Sequence, residues 1–174
     1  MATDPGPDVA TATGTLSGVA PFFWTAQVQV VPTVQAAAYA AGAAVGGLLT
    51  FAGAARTAGG SGLAQAATCC FASGVVPSLD LVLFSVTPGG GTITDRVVVA
   101  IATADLPKIA GVIHLSDATL LGAAAPSLVQ GATAALPFKL PPGASSLFGV
   151  LITRTAVTLT STTDATVNLS VMQD

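Results

Sequence analysis

Apolar residues fall along this chain in short runs, and glycine, proline or small polar residues break each run. The stretch 78–115 sets the rhythm. It opens with Leu79-Asp80-Leu81-Val82-Leu83-Phe84, which is stopped by Thr87-Pro88-Gly89-Gly90-Gly91, where proline removes a donor and the glycines permit tight reversal. Apolar runs at 97–101 and 109–115 follow, parted by Ala104-Asp105-Leu106-Pro107-Lys108. Runs of about four to eight apolar residues between turn signals are the mark of buried strands. The pattern therefore predicts strand, turn, strand, turn, strand through the middle of the chain.

The same reading extends in both directions. Residues 24–34 alternate polar and apolar at Gln27, Val28, Gln29 and Val30, a half-buried strand ending near Pro32. Residues 36–44 read as a loop and 47–53 as a strand with Leu49 and Phe51 inward; 63–71 is a further strand. Residues 116–135 are loosely patterned, a loop with one irregular strand. A short strand at 136–140 is closed by Pro141-Pro142-Gly143, and 147–153 is apolar and β-branched, hence buried. Residues 157–160 and 166–171 are expected to form a terminal pair around the turn 161–164. About nine short strands with frequent turns predict an all-β antiparallel β-sandwich, of jelly-roll type, over residues 22–174. Residues 1–21, rich in Ala, Thr, Gly and Pro, read as a flexible N-terminal arm.

Composition narrows the class further. The chain has 174 residues, 52% hydrophobic and 7% charged, against about 25% charged in an average soluble domain. Glutamate is absent and lysine occurs only at Lys108 and Lys139, which argues against long helices. A surface so poor in charge is expected to be covered by other subunits. The segment 35–55 is almost free of charge over about the 20 residues that a membrane span requires, and Gly42 and Gly46 share a GxxxG spacing. Alanine and glycine supply little transfer energy, however, Gly46-Gly47 would weaken a helix, and no basic cluster flanks the segment, so a strand is preferred. The net charge is −3 and the five basic residues are scattered from Arg56 to Arg154, so no stripe grips a phosphate backbone and no direct nucleic-acid contact is expected. The first residues lack a positive region followed by an apolar core, and synthesis in the cytoplasm without export is expected.

Candidate chemistry is sparse. His114, the lone histidine, alternates with Ile113 and Leu115 and reads as structural, with no second histidine or cysteine cluster to make a zinc site. Cys69 and Cys70 are adjacent, so in a strand they point to opposite faces and read as small hydrophobes. The glycines at 59–62 lack the lysine that a phosphate loop needs. Asp80, Asp95, Asp105, Asp117 and Asp164 are spread out, and their expected work is capping turns. No catalytic set, metal or cofactor is expected. The aromatic cluster Phe22, Phe23 and Trp24 reads first as a core anchor or strand start, with an exposed partner anchor as the alternative. As partner contacts, the sequence offers that cluster together with Asp95, Arg96 and Lys108.

A resemblance carries the reading towards function. Leu79-Asp80-Leu81-Val82-Leu83-Phe84, Thr92-Ile93-Thr94-Asp95 and Asp105-Leu106-Pro107-Lys108-Ile109-Ala110-Gly111-Val112 occur in order. They are followed by Leu136-Pro137-Phe138-Lys139-Leu140, Ser146-Leu147-Phe148-Gly149-Val150-Leu151 and the closing stretch 164–174. Over roughly residues 26–174, this succession resembles small structural proteins of tailed bacteriophages, the capsid decoration (cement) proteins. The resemblance implies a β-sandwich virion protein on the outer surface of the head, with the major capsid protein as partner. Local three-fold positions of capsid lattices make a homotrimer the expected assembly. The alternatives are a receptor- or glycan-binding sandwich of a tail or fibre, and a small membrane-associated protein using residues 35–55.

Overall fold

In the computed structural model the described residues are 24–123, 125–131 and 135–174; the expected arm 1–21 and the aromatics Phe22 and Phe23 lie outside them. The chain is all-β. β1 (Trp24–Val30), β2 (Ala38–Tyr39), β3 (Ala44–Phe51) and β4 (Ser61–Phe71) lead to the central β5 (Leu79–Phe84). A 3-10 turn, Thr103–Lys108, precedes β6 (Ile109–Leu120), and β7 (Ser127–Gly131), β8 (Leu136–Lys139), β9 (Leu147–Thr153), β10 (Val157–Thr158) and β11 (Ala165–Gln173) complete the chain. Nine strands form one antiparallel sheet in the order β1-β11-β4-β7-β6-β5-β9-β3, with β8 also on β4, and β10 pairs β2 in a small second sheet.

The sheet curls until its two end strands, β1 and β3, lie near each other. Gly46 makes the approach possible: it adopts φ 78, and a Cβ there would sit 2.1 Å from Cβ of Pro32, just beyond β1. At the other end of the seam, Gln173 Nε2 donates to Gly53 O at 2.6 Å. The main core fills the inside of the curl. β11 shows the cause plainly, since Ala165, Val167, Leu169 and Val171 alternate inward and are fully buried.

β5 is buried on both faces, as a continuous apolar run demands. Leu79, Leu81 and Leu83 enter the main core. Val82 and Phe84 point outward with Ala44, Val150 and Ile152 into a second, smaller core, flanked by Leu48, Ile109 and Phe148. Residues 85–108 lie over that outer face, contributing Ile93, Val99 and Ile101.

Several expectations are corrected. Residues 97–101 form no strand but part of this cover, held by isolated bridges such as Ala43↔Val98 and Thr92↔Ala100. Arg96 at φ 67 turns the chain there, leaving Val97 43% and Val98 58% exposed. Within 116–135, β6 runs on to Leu120 and makes a hairpin with β7, closed by Leu121 N donating to Pro126 O at 2.8 Å. Residues 157–160 and 166–171 do not pair with each other: β10 joins β2, while β11 sits between β1 and β4. Asp164 sets that departure by accepting from Thr160 N at 3.1 Å and Ser73 N at 2.8 Å, tying the turn to the end of β4. The loop expected at 36–44 contains β2. Segment 35–55 is mainly β3, and no helix among the described residues is long and apolar enough to cross a membrane.

Candidate functional site

Three carboxylates organise the polar groups outside the main core. Asp80 stands in the middle of the outer face, between His114 on β6 and Ile152 on β9. Its Oδ1 lies 2.7 Å from His114 Nδ1, and its Oδ2 accepts from Arg154 Nε at 2.5 Å and also from Nη2. The carboxylate is almost wholly buried, whereas the side chains of His114 and Arg154 are 75% and 52% exposed. Burial pushes the Asp80 carboxyl up, but the hydrogen bonds and charges of His114 and Arg154 outweigh it and hold the group below its ordinary value. The alternation of His114 with Ile113 and Leu115 is as the sequence predicts, with the ring on the outer side. Asp80, by contrast, the second residue of β5, is an ion-paired residue within the strand and not a turn cap. The signal was there to be read, because a charge inside a run buried on both faces requires a charged partner. Which cation answers, Arg154, is a matter of register across β9.

Asp105 is the second carboxylate. Its 1% exposure reflects enclosure by Gly89 N at 3.1 Å, Gly90 N at 2.9 Å and Lys108 Nζ at 2.7 Å. The Lys108 ammonium, then the Gly90 and Gly89 amides, bring its carboxyl down to about 2. Lys108 Nζ also donates to Thr87 O at 3.2 Å. Asp95, the third, accepts from Tyr39 Oη at 2.9 Å, Gly46 N at 2.7 Å and Gln35 N at 3.1 Å. Burial raises the Tyr39 phenol to about 12, and Asp95 adds to the rise. Arg96 extends along the surface, with Nη1 donating to Gln35 Oε1 at 3.1 Å. Asp95, Arg96 and Lys108 thus belong to one covering segment, where Asp95 and Lys108 bind their own chain and Arg96 is exposed. Trp24 is remote from them in sequence and 55% exposed, with the Arg56 guanidinium 5.1 Å above its ring.

The chemistry open to this arrangement is limited. A histidine oriented by a carboxylate is the base half of a hydrolytic triad, which also needs a hydroxyl or thiol on the other ring nitrogen. Among the described residues the ring's one hydrogen bond is that of Nδ1. No group of three or more His, Cys or Asp side chains is placed to hold a metal, again among the described residues. An open apolar pocket of about 400 Å³ lies between β4, β8 and β11, lined by Leu63, Pro137, Phe138 and Met172.

These carboxylates predict an acid limit to stability. Asp105 and Asp80 titrate below their ordinary value of 3.8 in the folded chain, as does Asp174, which takes the Ser61 hydroxyl and amide. A depressed folded value means stabilisation that is complete above the unfolded value and lost as pH falls through the folded one. The melting temperature is therefore expected to fall steeply from about pH 4 to about pH 2, with Asp105→Asn flattening part of the slope. A melting temperature constant across that window would contradict the assignment.

Two adjacent pairs stand out among the exposed large apolar side chains. Val97 and Val98 (43% and 58% exposed) lie on the cover, and Leu120 and Leu121 (46% and 58%) lie at the tip of the β6–β7 hairpin, with Leu106 at 53% on the 3-10 turn. Comparison with family models, curated proteins and solved structures returns no match for this chain.

Proposed function

We propose that the chain is a virion structural protein that works by contact: a capsid decoration protein on the outer surface of a tailed-phage head. In this reading the curled sheet is a β-sandwich of jelly-roll type that bridges major capsid protein subunits and resists their separation. Copies assemble with one another, with a trimer at local three-fold positions. The observation that carries the proposal is the exposed apolar surface at Val97-Val98 and Leu120-Leu121 on a chain with 7% charged residues. Single exposed aliphatic groups are ordinary; in this reading the two adjacent pairs, on a weakly charged body, are surface that a protein partner covers. The resemblance of the ordered segments between 26 and 174 names the partner. In this reading the His114–Asp80 pair is structural: among the described residues the ring's one hydrogen bond is that of Nδ1 to Asp80.

The test is immunogold imaging of intact virions with antibody against this chain, beside light scattering of the purified protein. Label spread over the head, in fixed ratio to major capsid protein, is expected. A Leu120→Asp/Leu121→Asp pair should bind shells roughly tenfold or more weakly, as for loss of a buried interface anchor. Label confined to the tail would replace this reading with the receptor- or glycan-binding one, and unlabelled virions would overturn both. A stable monomer would remove the trimer.

A further inference from the structure

Residues 85–108 cover the apolar outer face of β3, β9, β5 and β6, and their bonds divide sharply by location. At the neck, Ser85 N donates to Lys108 O at 2.9 Å, so the segment leaves and rejoins the sheet at one place, as an Ω-loop does. Inside the segment, Thr92 N reaches Ala100 O at 2.8 Å, Ala100 N returns to Thr92 O at 3.1 Å, and Asp105 holds Gly89, Gly90 and Lys108. These partners all lie within 85–108, so the segment carries its own scaffold.

Its polar ties to the rest of the chain gather at the opposite end from the neck. Ala44 N donates to Val97 O, Arg96 N to Ala44 O and Val99 N to Gly42 O, each at 2.9 Å. Asp95 adds the bonds from Tyr39 Oη, Gly46 N and Gln35 N. Between neck and far end the contact is apolar, with Ile93, Val99 and Ile101 resting on the face of Val82, Phe84, Val150 and Ile152.

We propose that residues 85–108 form a hinged cover that opens as one unit about the Ser85–Lys108 neck, with Asp95 as its latch. Opening breaks the far-end bonds and exposes the smaller core. It leaves the sheet ladders and the main core intact, because the main core packs on the inner face of the same strands. Partial opening of this kind needs less free energy than global unfolding, since only the contacts of one element are lost. Asp95 is the dominant tie because a carboxylate accepting several bonds is held more strongly than neutral pairs are.

Residue-resolved amide hydrogen exchange on the full chain tests this. In the unaltered protein the amides of Ala44, Gly46, Arg96 and Val99 should exchange with one common opening, faster than Val82 and Val150 in the ladders. Asp95→Asn should speed that whole group by roughly tenfold or more while leaving Thr92 and Ala100 unchanged relative to one another. Exchange of the group together with Val82 and Val150 in the unaltered protein would overturn the hinge, whatever the variant does. Acceleration confined to Gly46 and Gln35 in the variant would overturn the latch.

Discussion

Replacing Phe51 with alanine is expected to lower the unfolding free energy by about 3–5 kcal/mol, near the top of the range for buried aromatic truncations. Phe51 ends β3, is wholly buried and pairs in register with Leu147 on β9. Its ring occupies the space above Gly149, where a Cβ would come within 2.7 Å of Cε2 and 3.1 Å of the Leu81 side chain. The glycine has no side chain to move into the hole, so the cavity left by the truncation stays open and its lining loses dispersion contacts outright. A domain of this size has roughly 5–15 kcal/mol of stability in all, so much of it goes with one ring. Urea unfolding monitored by far-ultraviolet circular dichroism measures the change. A loss below about 1 kcal/mol, no more than that of an average point substitution, would show that the ring does not act as a wedge between β3 and β9.

Gly46→Ala is expected to be nearly as damaging, at roughly 2–5 kcal/mol, and for a different reason. Two costs add: a left-handed backbone with a side chain, about 1–2 kcal/mol, and overpacking against fixed atoms, about 1–3 kcal/mol. Gly46 sits at φ 78, and the added methyl would meet Cβ of Pro32 at 2.1 Å and its Cα at 3.2 Å. Proline cannot swing aside as a long side chain could, so β1 and β3 must part or β3 must change its turn. The Gly46 amide also donates to Asp95, so the same movement strains the cover. Gly53→Ala is the matched control: it has a similar φ of 73 but no neighbour within 4 Å of the added atom, and it isolates the backbone term. Equal losses for the two variants in thermal unfolding would show that the seam is not closely packed at Gly46.

Much of the fold was legible because strand signals are local. The period of two at Val28 and Val30, the unbroken run 79–84 and the breaker Pro141-Pro142-Gly143 each act within a few residues. β1, β5, β8 and β9 lie where those signals place them. The inward direction of Leu49 and Phe51 followed from the same alternation. Sequence patterning also rejected a membrane helix at 35–55, since alanine and glycine bury too little apolar area to favour one.

The rest depended on partners far away along the chain. Residues 97–101 carry as apolar a pattern as 79–84, yet the burial of such a run is decided by what lies above it. The positive φ at Arg96 turns this one into a cover with Val97 and Val98 outward. β10 and β11 looked like a hairpin because a polar turn separates them. Asp164, bonded to an amide 91 residues distant, directs β11 onto β4 instead. Asp80 needs a cation wherever it is buried, but His114 and Arg154, 34 and 74 residues beyond it, reach it only because antiparallel register sets β6 and β9 on either side of β5. Alternation along a strand is a property of neighbours and belongs to the sequence. Pairing order, the closure of the curl at Gly46 and the meeting of charges across strands are properties of register, and only the assembled sheet supplies them.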